Sequence, residues 1–116
     1  MDWQKITFED WVNAFNGSQE KWKELPNEIV WKIWWKETGS LLCSVCLLIE
    51  NCKICPLRTN VKIICCKEFS KCLYASNIND YKEFKIGFIG MQKLLKKLNK
   101  KSAYLKWKSK LEKEII

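Results

Sequence analysis

Histidine is absent from the 116 residues, proline occurs twice, glycine four times, and Arg58 is the single arginine. Without histidine there is no Ser-His-Asp triad, no Cys-His nucleophile pair, no HExxH metalloprotease helix and no Cys2His2 finger. Nor do the residues supply a glycine-rich phosphate loop or an acid/base pair, so no catalytic constellation can be assigned. Long apolar runs are missing as well. Stretches such as Leu47-Leu48-Ile49 fall far short of the roughly 20 residues that cross a bilayer. The basic start and unbroken apolar stretch of a signal peptide are interrupted by Glu9 and Asp10. The expectation is a protein with no membrane span that works in the cytoplasm.

What is present is ample core. A hydrophobic content of 47% against 29% charged residues excludes wholesale disorder and suits one packed domain over 1–116, too short for two ordinary ones. Within it the sequence divides into a Trp-rich part (1–39), a cysteine-rich part (40–79) and a basic part (80–116).

In the first part, Thr7 with Asp10 three residues on is a capping box for a helix carrying Phe8, Trp11, Val12 and Phe15, with Asn16-Gly17 as its stop. Ser18 can cap a second segment through Trp22 and Leu25, closed by Pro26. Asn27 can cap a third with Val30, Trp31, Ile33, Trp34 and Trp35, ending with Gly39 at the C′ position. The tryptophans at 3, 11, 22, 31, 34 and 35 read first as core, because a small domain gains most from its largest apolar side chains. An exposed partner-binding face is the alternative. From Asp80 the apolar residues Tyr81, Phe84, Phe88, Met91, Leu95 and Leu98 recur at 3, 4, 3, 4, 3 and make one stripe of a helix. Gly87 and Gly90 inside it suggest a close approach to the backbone. Ser102 restarts or continues the helix, with Tyr104, Trp107, Leu111 and Ile115 on a similar face.

The cysteine-rich part has no long period, and Val61-Lys62-Ile63-Ile64 reads as a short strand. Its main feature is Cys43-x2-Cys46-x5-Cys52-x2-Cys55, followed by Pro56-Leu57. A two-residue gap lets both thiolates of a pair reach one ion, so two such pairs supply the four ligands of a tetrahedral Zn2+ at about 2.3 Å. A [4Fe-4S] cluster takes the same four ligands and is the alternative. Cys65, Cys66 and Cys72 are substitutes for members of this set, or pack as small hydrophobes. Free buried thiols and a redox disulfide are further alternatives. Glu50 and Glu68 read as solvated charges.

This arrangement resembles a group of small uncharacterised proteins of phages and mobile elements. They carry two C-x2-C knuckles, the second followed by Pro-Leu, then a further Cys, an aromatic turn and a C-terminal helix with small and Met/Leu positions. The matching residues are Cys43, Cys46, Cys52, Cys55-Pro56-Leu57, Cys65 or Cys66, Tyr74, Gly90-Met91 and Leu94-Leu95. The Trp-rich stretch from Trp11 to Pro26 is similar to the lead-in of some members. The likeness covers residues 40 to 98 and departs at Cys65-Cys66, Cys72 and the lysine tail. It implies a virus- or element-encoded accessory protein in the host cytoplasm, with no common activity to carry over.

The charge is unevenly placed. Of the formal +8, all of it arises between Lys93 and Lys113, where Lys93, Lys96, Lys97, Lys100, Lys101, Lys106, Lys108, Lys110 and Lys113 face only Glu112. Such an excess is a phosphate-binding footprint, with Tyr104 and Trp107 available to stack on bases. A solvated helix face and an acidic protein or membrane surface are alternatives. Near-absence of arginine argues against base-edge readout, which favours its bidentate fork. The expected molecule is therefore mainly α: helices packed around an irregular, metal-binding cysteine knuckle. Its expected role is to contact nucleic acid or a ribonucleoprotein through the lysine-rich end. Alternatives are an interaction factor that inhibits a host or defence enzyme, and an iron–sulfur or thiol redox protein.

Overall fold

The computed structural model describes residues 3–39, Val45, Leu48, Pro56 and 67–115. Among these the protein is mainly helical, with no strand. Helix α1 spans Phe8–Lys21, after a short 3-10 turn at Trp3–Lys5. Helix α2 is brief, Trp31–Trp34, and runs on as a π-helical turn, Trp35–Gly39. Helices α3, Lys67–Asn77, α4, Tyr81–Leu98, and α5, Lys101–Ile115, follow.

The expected capping box opens α1. Thr7 Oγ1 accepts from the Asp10 amide at 3.1 Å while the Asp10 carboxylate accepts from the Thr7 amide at 3.0 Å. The stop at Asn16-Gly17 is not used, and α1 continues through both residues to Lys21. Ser18 consequently caps nothing. It is buried inside the helix, where its hydroxyl accepts from the Val45 amide at 3.2 Å. Asn27 caps the turn ahead of α2 rather than the helix proper, its side chain accepting from the amides of Ile29 and Val30. Gly39 has no positive φ and so is not a left-handed C′ residue. It is glycine because a Cβ there would lie 2.5 Å from the Trp34 ring and 2.7 Å from that of Trp35.

The segment expected to be irregular up to residue 79 contains α3. This helix ends in a Schellman motif: Asn79 takes the left-handed conformation (φ 57°), the Asp80 amide donates to Ala75 O and the Asn79 amide to Ser76 O. Asp80 then caps α4, accepting from the Glu83 amide at 3.2 Å. One stretch thus ends a helix and starts the next, and α3 and α4 pack antiparallel. The two glycines of α4 permit that packing. A Cβ on Gly87 would meet Cys72 Sγ at 2.9 Å and Glu68 O at 3.1 Å, and one on Gly90 would meet Glu68 Cγ at 3.0 Å. The expected strand at Val61–Ile64 lies outside the described residues.

Helices α1 and α4 complete each other's ends, where backbone groups lack helical partners. Gln92 of α4 donates to Trp22 O and Lys23 O at 2.9 Å each. In return Trp11 Nε1 donates to Leu98 O at 3.0 Å, and Asn99 donates to Asn16 Oδ1 at 2.9 Å. The predicted stripe of α4 faces the core: Phe84, Phe88, Met91 and Leu95 are buried, with Tyr81 and Leu98 packed at its edges. Trp11, Trp22, Trp31 and Trp35 are buried with them and Trp34 packs against them, so these tryptophans belong to the core. The side chain of Trp3 lies outside the described residues.

Candidate functional site

Exposed lysines lie on the outer sides of α4 and of α5. On α5, Tyr104, Trp107 and Leu111 are buried. At 3.6 residues per turn, Lys106, Lys110 and Lys113 fall about half a turn away, and all three are exposed. On α4, Lys93, Lys96 and Lys97 lie opposite the Phe88–Met91–Leu95 stripe and are exposed. Lys100 and Lys101, at the junction, are exposed too. Because α4 and α5 both rest on α1 through Leu98, Tyr104 and Trp107, the lysines opposite those contacts point away from the core. Two lysines that the sequence count passed over, Lys82 and Lys85, are exposed and extend the α4 side. They lie 11 and 8 residues before Lys93, about three and two helical turns, which returns them to the same side of the helix.

The structure corrects the role expected for the aromatic residues of this segment. Tyr104 is 7% exposed and Trp107 is 8% exposed. Trp11 packs against both, with ring centroids 5.5 Å from Tyr104 and 5.2 Å from Trp107. The Tyr104 hydroxyl donates to Ile6 O at 2.6 Å. Neither ring face is open to a base. Lys108 is also engaged: its ammonium donates to Gln4 O at 3.2 Å and to Ile6 O at 3.3 Å, 5.3 Å from the Tyr104 ring centroid. It closes the N-terminal turn onto α5.

Cys43, Cys46, Cys52, Cys55, Cys65 and Cys66, expected as ligands or their substitutes, lie outside the described residues. Cys72 is described and is a core residue. It is fully buried, its thiol donates to Phe84 O at 3.7 Å, and it fills the notch over Gly87. Burial first, and then the neighbouring Glu68 carboxylate, push the thiol from 9.0 up to about 12, partly opposed by Lys71. The thiol is neutral at physiological pH and packs in the core. Glu68 is not simply solvated: its Oε2 is buried without a hydrogen-bond partner among the described residues, and its stem covers Gly90. Among the described residues no group of three or more Cys, Asp or Glu side chains converges as a metal site. Tyr74, matched above to an aromatic turn, lies within α3. No described helix is long and apolar enough to cross a membrane.

A second exposed surface lies on α2 and the turn ahead of it. Ile29 is 89% exposed and Ile33 is 59% exposed, and Ile33 lines an open groove with Lys32, Trp35, Lys36 and, from α3, Ser76. Comparison of the chain with protein-family models, with curated proteins and with solved structures finds no match in any of the three.

Proposed function

We propose that this protein is a small helical binding module that holds nucleic acid, free or in a ribonucleoprotein, by its phosphates through the outer sides of α4 and α5. The supporting observation is the exposure of Lys93, Lys96, Lys97, Lys100, Lys101, Lys106, Lys110 and Lys113 on two helices whose inner faces are fixed in the core. Ammonium groups neutralise phosphates as point charges and release condensed counterions, so binding driven this way weakens steeply with salt. Six to ten such contacts lose about three to five orders of magnitude in affinity between roughly 50 and 200 mM salt. Fluorescence anisotropy with a labelled oligonucleotide reads this directly. Replacing Lys97, Lys100 and Lys101 together by Glu is expected to abolish binding, and indifference to both salt and substitution sinks the reading.

The same proposal gives Cys43, Cys46, Cys52 and Cys55 a structural Zn2+, whose binding free energy would stabilise the fold outright. Metal analysis of anaerobically purified protein separates one zinc per chain from iron and sulfide. A second functional reading, a factor that binds and inhibits a host enzyme, draws on the exposed Ile29 and Ile33. A pull-down that survives nuclease and high salt favours it.

A further inference from the structure

We infer that the lysine surface engages double-stranded nucleic acid through its backbone alone, without selecting sequence. The inference rests on the phosphate-binding reading above and adds which form of nucleic acid fits. Three observations carry it. The first is that neither described ring of the basic segment offers a stacking platform. Non-selective single-strand binders gain about 1–3 kcal/mol per base from aromatic side chains under the strand. Here the two rings in the basic segment, Tyr104 and Trp107, are turned inward and held by Ile6 and Trp11. The well-exposed tyrosine, Tyr74, lies on α3, the helix packed along Gly87 and Gly90.

The second is charge density. A duplex offers one phosphate per about 1.7 Å of axis and a single strand one per about 3.4 Å. From Lys82 to Lys97 the basic side of α4 runs about 22 Å at 1.5 Å per residue, and α5 adds Lys106, Lys110 and Lys113. Point charges fixed on helices gain most from the denser, stiffer partner. The third is the chemistry of the charges: every cation named on this surface is a lysine, a point charge for phosphates, and the guanidinium fork, the common reader of guanine edges, is available to the chain at Arg58 alone. An anionic membrane fits less well. Interfacial helices insert an apolar face, and those of α4 and α5 are buried in the core, leaving the isolated Ile86 and Leu105 exposed.

The test is anisotropy with the whole chain against two DNA duplexes of unrelated sequence, an RNA duplex, a single-stranded oligo-dT of equal length, and phosphatidylserine vesicles. The expected result is affinity equal within about threefold for the two DNA duplexes and about tenfold weaker for oligo-dT. The RNA arm says whether B-form or A-form geometry is preferred, and binding of either duplex above oligo-dT supports the inference. The salt slope should fall by roughly 0.9 for each lysine that contacts a phosphate and is changed to Gln, tested at Lys93, Lys97, Lys106 and Lys110. Oligo-dT binding as tightly as duplex, or one DNA sequence preferred more than about tenfold, overturns the inference and leaves phosphate binding intact. Binding of vesicles alone, or of no probe, overturns both.

Discussion

The core has two aromatic clusters that are held in different ways. In the first, Trp11, Phe15, Tyr104 and Trp107 join α1 to α5, and the polar atoms of Trp11 and Tyr104 are given to the backbone at Leu98 and Ile6. In the second, Trp22, Trp31 and Trp34 pack on Phe84 and Phe88 with ring centroids 4.8 to 6.0 Å apart. There Trp22 Nε1 is buried without a hydrogen-bond partner among the described residues. The first cluster is fixed by two hydrogen bonds from its rings; the second rests on contact area, with the Tyr81 hydroxyl at its edge donating to Pro26 O at 2.7 Å. Hydrogen bonds fix orientation, whereas apolar contacts tolerate sliding. The directional cluster sits beneath α5, the helix that carries Lys106, Lys110 and Lys113, so the basic surface is attached where orientation is best defined.

The comparison breaks most visibly at Trp11. Trp11→Ala is expected to cost about 3–5 kcal/mol in urea unfolding, the usual loss for a large buried aromatic. Matched substitutions sharpen it: Trp11→Phe should cost about 1 kcal/mol more than Trp22→Phe, because only the former gives up a hydrogen bond. Equal losses would erase the distinction between the clusters. Next in size is the α3–α4 seam beside the second cluster. Gly87→Ala should destabilise by about 1–3 kcal/mol, since its Cβ meets the Glu68 backbone and Cys72. Gly90→Ala meets only the flexible Glu68 side chain and should be neutral or stabilising by up to about 1 kcal/mol through helix propensity. Smaller again is Tyr104→Phe, which removes the bond to Ile6 O at about 1 kcal/mol and should leave affinity for nucleic acid unchanged.

The last prediction is silent at neutral pH. The Cys72 thiol titrates at about 12 in the folded protein, above its unfolded value, so the folded state keeps the proton longer. Its contribution to stability is complete below about pH 9, where both states hold the proton, and is lost as pH rises towards 12. Comparing the pH dependence of unfolding for the protein and its Cys72→Ala variant isolates this term. Coincident slopes above pH 9 would count against it.

Local signals were legible where local physics decides. The Thr7–Asp10 box and the α4 stripe from Asp80 each formed as their spacing required. Tertiary contacts overrode the others. Gly17 is a weak helix residue, yet α1 passes through it, and Ser18 lies inside as the acceptor for Val45. In α3 the pattern Phe69, Cys72, Ala75 is a helical face, but Cys72 equally continues the cysteine series of the preceding segment, so the period is concealed. At the candidate site, the lysines could be found from charge alone. Tyr104 and Trp107 were given two incompatible roles, inner face of a helix and platform for bases, and burial decided for the former.

The hydrogen bonds that seat α5 join residues far apart in the chain: Trp11 reaches Leu98 across 87 positions, and Tyr104 reaches Ile6 across 98. Closing loops of this length costs entropy that only the finished cluster returns. On a ribosome adding about 5–20 residues per second, Trp11 waits roughly 4–17 s for the carbonyl of Leu98 to be synthesised. Throughout that interval the Trp11 indole has no Leu98 carbonyl to donate to.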